Sequence, residues 1–74
     1  MIENDEIQLI KSVGDKIKKR RLELDLSQET LSLDANIPRN QVGRIERAEI
    51  NTSIVSLFKI CKVLKIDMAD LFKF

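Results

Sequence analysis

The stretch "IPRNQVGRIER", residues 37–47, holds three arginines and an asparagine among β-branched aliphatics, behind a proline. At 100° per residue, Arg39, Asn40, Gly43, Arg44 and Arg47 fall within an arc of roughly 140°. Val42 and Ile45 lie opposite, and Gln41 and Glu46 occupy the flanks. A guanidinium is a planar fork that meets two acceptors at once, on a phosphate or on the major-groove edge of guanine. The asparagine amide offers the donor and acceptor that match adenine. Gly43 inside this polar arc costs about 1 kcal/mol of helix propensity. The expected return is room between Asn40, Arg44 and Arg47.

The elements that must position these groups follow from periodicity and caps. Two glycines and one proline leave the chain few breakers, and hairpin signals such as Asn-Gly are absent. The pattern predicts an all-α domain of five helices spanning 1–74, with an acidic N-terminal extension at 1–8. The first helix covers about 5–24, with Ile10, Val13, Ile17 and Leu24 as its apolar stripe. Ser27 suits the N-cap of a second helix at about 28–35, with Glu29 in the first turn where the dipole favours an acid. Asn36 accepts a left-handed backbone, and Pro38 suits the first position of a third helix at about 38–47. The fourth helix runs about 54–64 behind Thr52 or Ser53. Asp67 is expected to cap a short fifth helix at 68–72.

An arginine-bearing helix face is usually only solvated. Here arginine outnumbers lysine, Asn40 stands beside it, and a short helix precedes by a tight corner at Asn36. That corner is the helix-turn-helix arrangement, whose second helix lies in the DNA major groove. Composition narrows the rest. Net charge is only +1, but residues 11–21 carry +5 and residues 36–48 carry +2. If the fold joins "KIKKRR" (16–21) to the third helix, the two form one positive face. With no histidine and one cysteine, zinc sites, disulfide scaffolds and histidine-dependent catalysis are excluded, and no metal or other cofactor is expected. Three Phe without Tyr or Trp argue against a base-stacking platform. No apolar run reaches membrane-spanning length and the acidic start is unlike a signal peptide, so the expectation is a cytoplasmic protein with no membrane partner. No paired catalytic motif points to an enzyme.

These features converge on a resemblance. "VGDKIKKRR", "LSQETL", "NIPRNQVGRIER" and "TSIVSLFKICKVLKIDMADLF" together resemble the Cro/phage-repressor (XRE-like) helix-turn-helix family over about 13–72. The resemblance implies a compact lambda-repressor-like fold with the helix-turn-helix at helices two and three. It implies base reading by Arg39, Asn40 and Arg44, and phosphate contacts from Gln28, Arg47, Asn51 and Thr52. It also implies a partly buried ion pair between Arg21 and Glu46. Three positions depart from the family pattern: Asn36 replaces the usual Gly, Pro38 the usual Ser or Thr, and Ser32 the small alanine of helix two. The Ser32 hydroxyl then needs a partner, for which the carbonyl four residues back is available.

Helix four places Ile54, Leu57, Phe58, Ile60, Cys61 and Leu64 on one apolar arc, with Cys61 as a buried thiol. Leu26, Leu31, Ala35, Ile37, Val42 and Ile45 complete the expected core. Val55, Val63, Met68, Leu71, Phe72 and Phe74 are left over, more apolar surface than so small a monomer covers. They are the expected interface of a homodimer, which would also let one short helix read two half-sites. The sequence thus points to a sequence-specific regulator on double-stranded DNA, with no ligand-sensing domain. The layout is shared by restriction-modification controller proteins, small phage repressors and some antitoxins. Glu29 and Asp34 on helix two could meet RNA polymerase. The alternative is an antitoxin-like or adaptor module whose apolar surface binds a protein, with DNA contact secondary.

Overall fold

Helix α1 spans Ile2–Glu23, α2 Gln28–Ala35, α3 Gln41–Glu46, α4 Ile54–Leu64 and α5 Met68–Leu71. The computed structural model describes residues 2–74, with side chains from residue 5 onward, and among these there is no strand. At 1.5 Å per residue α1 is about 33 Å long, and it sets the long axis of a body measuring 36 × 22 × 20 Å. It begins at Ile2, so the residues expected as a separate acidic extension are its first turns. Asp5 and Glu6 suit that end because the helix dipole favours acids there. Met1, also part of that expected extension, lies outside the described residues.

The caps follow the side chains. Ser27 Oγ accepts from Thr30 N–H at 2.9 Å and Ser53 Oγ accepts from Ser56 N–H at 3.0 Å. Asp67 holds the extended cap conformation, but its carboxylate makes no capping bond. Asp25, Asn36, Ala48 and Lys65, one after each of the first four helices, sit at φ between 55° and 59°. In each case the next N–H closes back on the helix: Leu26 on Arg21, Ile37 on Ser32, Glu49 on Arg44 and Ile66 on Cys61. This is the Schellman closure, which supplies donors to carbonyls left open at a helix end. Three of these closing residues, Leu26, Ile37 and Ile66, pack on the core. The fourth is Glu49.

The third helix starts later than the Pro38 position predicts. Gln41 N–H donates to the Pro38 carbonyl at 3.0 Å, and Asn40 has φ −91° and ψ 0°. That is the third position of a type I turn. Pro38–Asn40 therefore belong to a turn that feeds α3 at Gln41, and are not its first residues.

The core is a single cluster in which Ile17, Leu31, Val42, Ile60, Leu64 and Leu71 are fully enclosed. Cys61 is buried within it, and desolvation, with a smaller contribution from Asp67, pushes its thiol pKa up. The thiol stays protonated and behaves as a small apolar group. Two expected core residues of α4, Ile54 and Phe58, are exposed instead. Buried Leu57, Ile60, Cys61 and Leu64 fill the stripe that α2 covers, and Ile54, Phe58 and Val55 continue the apolar arc beyond its edge. Leu71, expected at an interface between copies, is 0 % exposed. Val63 and Met68 also pack against their own core.

Two features seat α3 on α1. A Cβ on Gly14 would stand 2.5 Å from the Ile45 carbonyl oxygen and 3.0 Å from that of Glu46, so glycine permits the close crossing. About two turns along α1, Arg21 Nε donates to Glu46 Oε2 at 2.7 Å and Arg21 Nη2 to Glu46 Oε1 at 3.0 Å. Both residues are buried, Arg21 Nη1 donates to the Leu26 carbonyl, and Gln28 Nε2 adds a third hydrogen bond to Glu46. The Glu46 hydrogen bond raises the Arg21 pKa further. Gly43 is the counterpart on the outer side: a Cβ there would meet Gln28 Oε1 and Arg47 Nη1, each at 3.0 Å, which are ends of flexible side chains.

The two glycines should therefore respond differently in urea unfolding. Gly14→Ala meets backbone and is expected to lose about 1–3 kcal/mol despite its better helix propensity. Gly43→Ala is expected to stay within about 1 kcal/mol of the parent, because propensity offsets the displaced side-chain ends. Equal losses would show that α1 and α3 do not meet this closely. Glu46→Ala leaves Arg21 buried without its partner and should cost about 3–5 kcal/mol. The double change Arg21→Met with Glu46→Leu should recover most of that loss in the same measurement.

Candidate nucleic-acid interface

On α3 the inward side is sealed: Val42 is 0 % and Ile45 2 % exposed. The outward side carries Arg44, with Arg39 and Asn40 on the entering turn and Arg47 at the exit. The side chains of Arg39, Arg44 and Arg47 are 81 %, 48 % and 56 % exposed. Asn40 occupies the N-cap position but makes no side-chain capping bond, so its amide is available to a ligand. Arginine forks and a free carboxamide thus share the solvent face of one short element whose other face is fixed in the core.

Each arginine of this face has an acidic neighbour. Arg39 stands 3.6 Å from Glu29, the residue expected to be available to a polymerase. Arg47 Nε donates to Glu49 Oε2 at 2.6 Å, and Arg44 Nε lies 3.8 Å from Glu49 Oε1. The Arg47 hydrogen bond holds the Glu49 carboxyl below the usual carboxylate range, with Arg44 adding to the effect, and Glu49 in turn raises the Arg47 pKa. Glu49 belongs to no motif. Its signal in the sequence is an acid where the other three helix ends carry an aliphatic.

The corner between α2 and α3 is tied by Ser32. Its hydroxyl lies 2.9 Å from the Gln28 carbonyl oxygen, four residues back, and 3.2 Å from the Arg39 carbonyl oxygen. That second contact fastens the backbone of Arg39 to α2. Gly43 does not leave open space between Asn40, Arg44 and Arg47 as expected. It is buried under Gln28 and Arg47, and its missing side chain lets those two lie across α3. Gln28, expected at a phosphate, commits one amide N–H to Glu46. Asn51 is exposed, whereas Thr52 turns its Oγ1 inward, out of reach of a phosphate.

The basic block of α1 does not join this face. Lys16 Nζ donates to the Asp70 carbonyl and Arg20 Nε to the Leu64 carbonyl, each at 2.9 Å, while Arg21 is buried on Glu46. Only Lys18 and Lys19 of "KIKKRR" are both exposed and without such a contact. Carbonyls at helix ends carry partial negative charge, and these cations satisfy them. The block clamps α4 and α5 to α1.

Comparison with known proteins agrees with this geometry. The helix-turn-helix family model matches residues 17–71. The control protein C.MunI from Mycoplasma sp. is 40 % identical over 60 residues, covering 80 % of this chain and 81 % of that protein. The restriction-modification controller protein C.AhdI from Aeromonas hydrophila superposes with a TM-score of 0.82 at 33 % identity, over 85 % of this chain and 96 % of that one. The controller protein C.Esp1396I, solved bound to a 25 base pair operator site, superposes with a TM-score of 0.77 at 38 % identity, over 86 % and 84 % of the two chains. The chain belongs to the helix-turn-helix family in its phage-repressor-like branch, DNA-binding transcription regulators and not enzymes, with restriction-modification controller proteins among its relatives.

Proposed function

We propose that this protein is a cytoplasmic, sequence-specific regulator that binds double-stranded operator DNA as a homodimer, with α3 of each copy in the major groove. The observation that carries the reading is the two-sided seating of α3. Its aliphatic side is enclosed, and its arginines and the free Asn40 amide face solvent. In this reading Arg39, Asn40 and Arg44 contact base edges, and Arg47 and Asn51 contact backbone phosphates on either side. Gln28 braces Glu46 with one amide N–H, which leaves its second N–H for a phosphate. The operator complex of C.Esp1396I supports the mode of binding.

A dimer answers the apolar flank that the monomer leaves uncovered. Ile54, Val55 and Phe58 on α4 are 75 %, 61 % and 52 % exposed, and Phe72 and Phe74 are exposed near the C-terminal end. This flank, rather than Val63, Met68 and Leu71, is the surface proposed to pair. A two-fold pairing sets two copies of α3 on half-sites about 34 Å apart, one helical turn of DNA.

Selection of bound sites from random duplexes is expected to return palindromic half-sites about 10 base pairs apart, centre to centre. Arg44→Ala should cost about 1–3 kcal/mol on the selected site and clearly less on random DNA. An equal loss on both would make Arg44 a phosphate contact. In sedimentation the parent should run as a dimer, and Val55→Asp with Phe58→Asp as a folded monomer. A monomeric parent would favour the adaptor reading, in which this flank meets a different protein.

A further inference from the structure

We infer that Glu49 tunes duplex affinity: its carboxylate holds Arg47 in the free protein, with Arg44 close by, and must be displaced before Arg47 meets a phosphate. The inference rests on the proposed DNA-facing role of α3 and deepens it. Three observations carry it. A single carboxylate serves both guanidinium groups, at 2.6 Å from Arg47 and 3.8 Å from Arg44. Its backbone is fixed, because the Glu49 N–H closes α3 on the Arg44 carbonyl at 2.8 Å. The fold itself does not ask for an acid there, since the equivalent residues after the other helices are Leu26, Ile37 and Ile66, which pack on the core.

The consequence is electrostatic. A phosphate must compete with a carboxylate of the same sign that is tethered beside the arginines. The selected site and random DNA both offer phosphates, so both bear this competition. A correct site adds base-edge hydrogen bonds that random DNA lacks. Glu49 therefore weakens binding to every duplex alike, and the base-edge contacts alone set the preference among them. It also reduces the number of counterions released on binding, because Arg47 already has an anionic partner.

Glu49→Gln tests this, with fluorescence anisotropy against the selected site and a random-sequence duplex across a series of KCl concentrations. At 0.1 M salt the variant should bind the random duplex roughly tenfold tighter for each phosphate gained, with a log–log salt slope steeper by about 0.9 per phosphate. The gain on the selected site should be equal, leaving the preference unchanged. The extra affinity should vanish in the double variant Arg47→Ala with Glu49→Gln. Asp15→Asn, the same charge change on an exposed residue of α1, should leave the slope unchanged. Unchanged affinity and slope in Glu49→Gln would overturn the inference, as would weaker binding to both duplexes or an equal gain in Asp15→Asn. Thermal unfolding of Glu49→Gln should match the parent, because the closing N–H is retained. A parent protein that selects no duplex at all would instead overturn the DNA-facing role of α3.

Discussion

The carboxylate of Glu46 is the point on which the placement of α3 depends. It is buried, it accepts two hydrogen bonds from Arg21 of α1, and it accepts a third from Gln28 of α2. A buried ion pair of this kind is weak evidence of net stability, because desolvating both partners is expensive. Its effect is geometric. A six-residue helix has too little surface to orient itself by apolar contact alone, and Val42 and Ile45 tolerate small rotations about the helix axis. The bidentate fork does not. With Glu46 held by two helices, rotation of α3 would break several hydrogen bonds at once, and Arg44 and Arg47 keep the outward direction that a groove requires.

Glycine use shows how the same constraint shaped the backbone. Four helix ends need a left-handed residue, the usual place for glycine, and the chain uses Asp25, Asn36, Ala48 and Lys65 instead. Asp and Asn bear that conformation cheaply, while Ala and Lys do so at a cost of about 1–2 kcal/mol. Both glycines stand where α3 meets its neighbours, Gly14 against its backbone and Gly43 under the side chains of Gln28 and Arg47. Close approach at α3 took precedence over relaxed helix ends.

Much of this was legible in the sequence because the signals were local. Ser27, Ser53 and Asn36 mark ends that depend on one or two hydrogen bonds, and α2 and α4 begin and finish where those residues indicate. The two-sided character of α3 was equally plain from Val42 and Ile45 against the arginines. What was not legible depends on pairs of distant residues. Pro38 suits a helix start, yet the turn through Asn40 displaced that start to Gln41. Gly14 lies in an ordinary helical stripe, and only the crossing with α3 reveals its purpose. The apolar arc of α4 is wider than the stripe its neighbours cover, so periodicity could not separate Leu57 from Phe58. Leu71 looked surplus because the C-terminal apolar residues outnumber what so small a monomer was expected to cover, yet it inserts fully while Phe72 and Phe74 stay exposed.

The near-neutral charge of the chain follows from how its cations are used. The most basic run, at the end of α1, sends Lys16 and Arg20 to carbonyls at the ends of α5 and α4, and sends Arg21 to Glu46. Those charges hold helices together and contribute little to a field outside the protein. The three arginines of the α3 face are exposed, and Glu29 and Glu49 offset them at close range. A polyanion approaching this protein therefore meets only a weak attraction, because these guanidinium groups must change partners to bind it. Such a surface gains little from nonspecific contact, because exchanging a carboxylate for a phosphate is nearly balanced. The surplus must come from groups whose partners are not already supplied, and on this face that is the uncapped amide of Asn40 together with the second, unused edges of the guanidinium forks. In the proposed DNA-binding role, discrimination between sequences then rests on base edges rather than on charge.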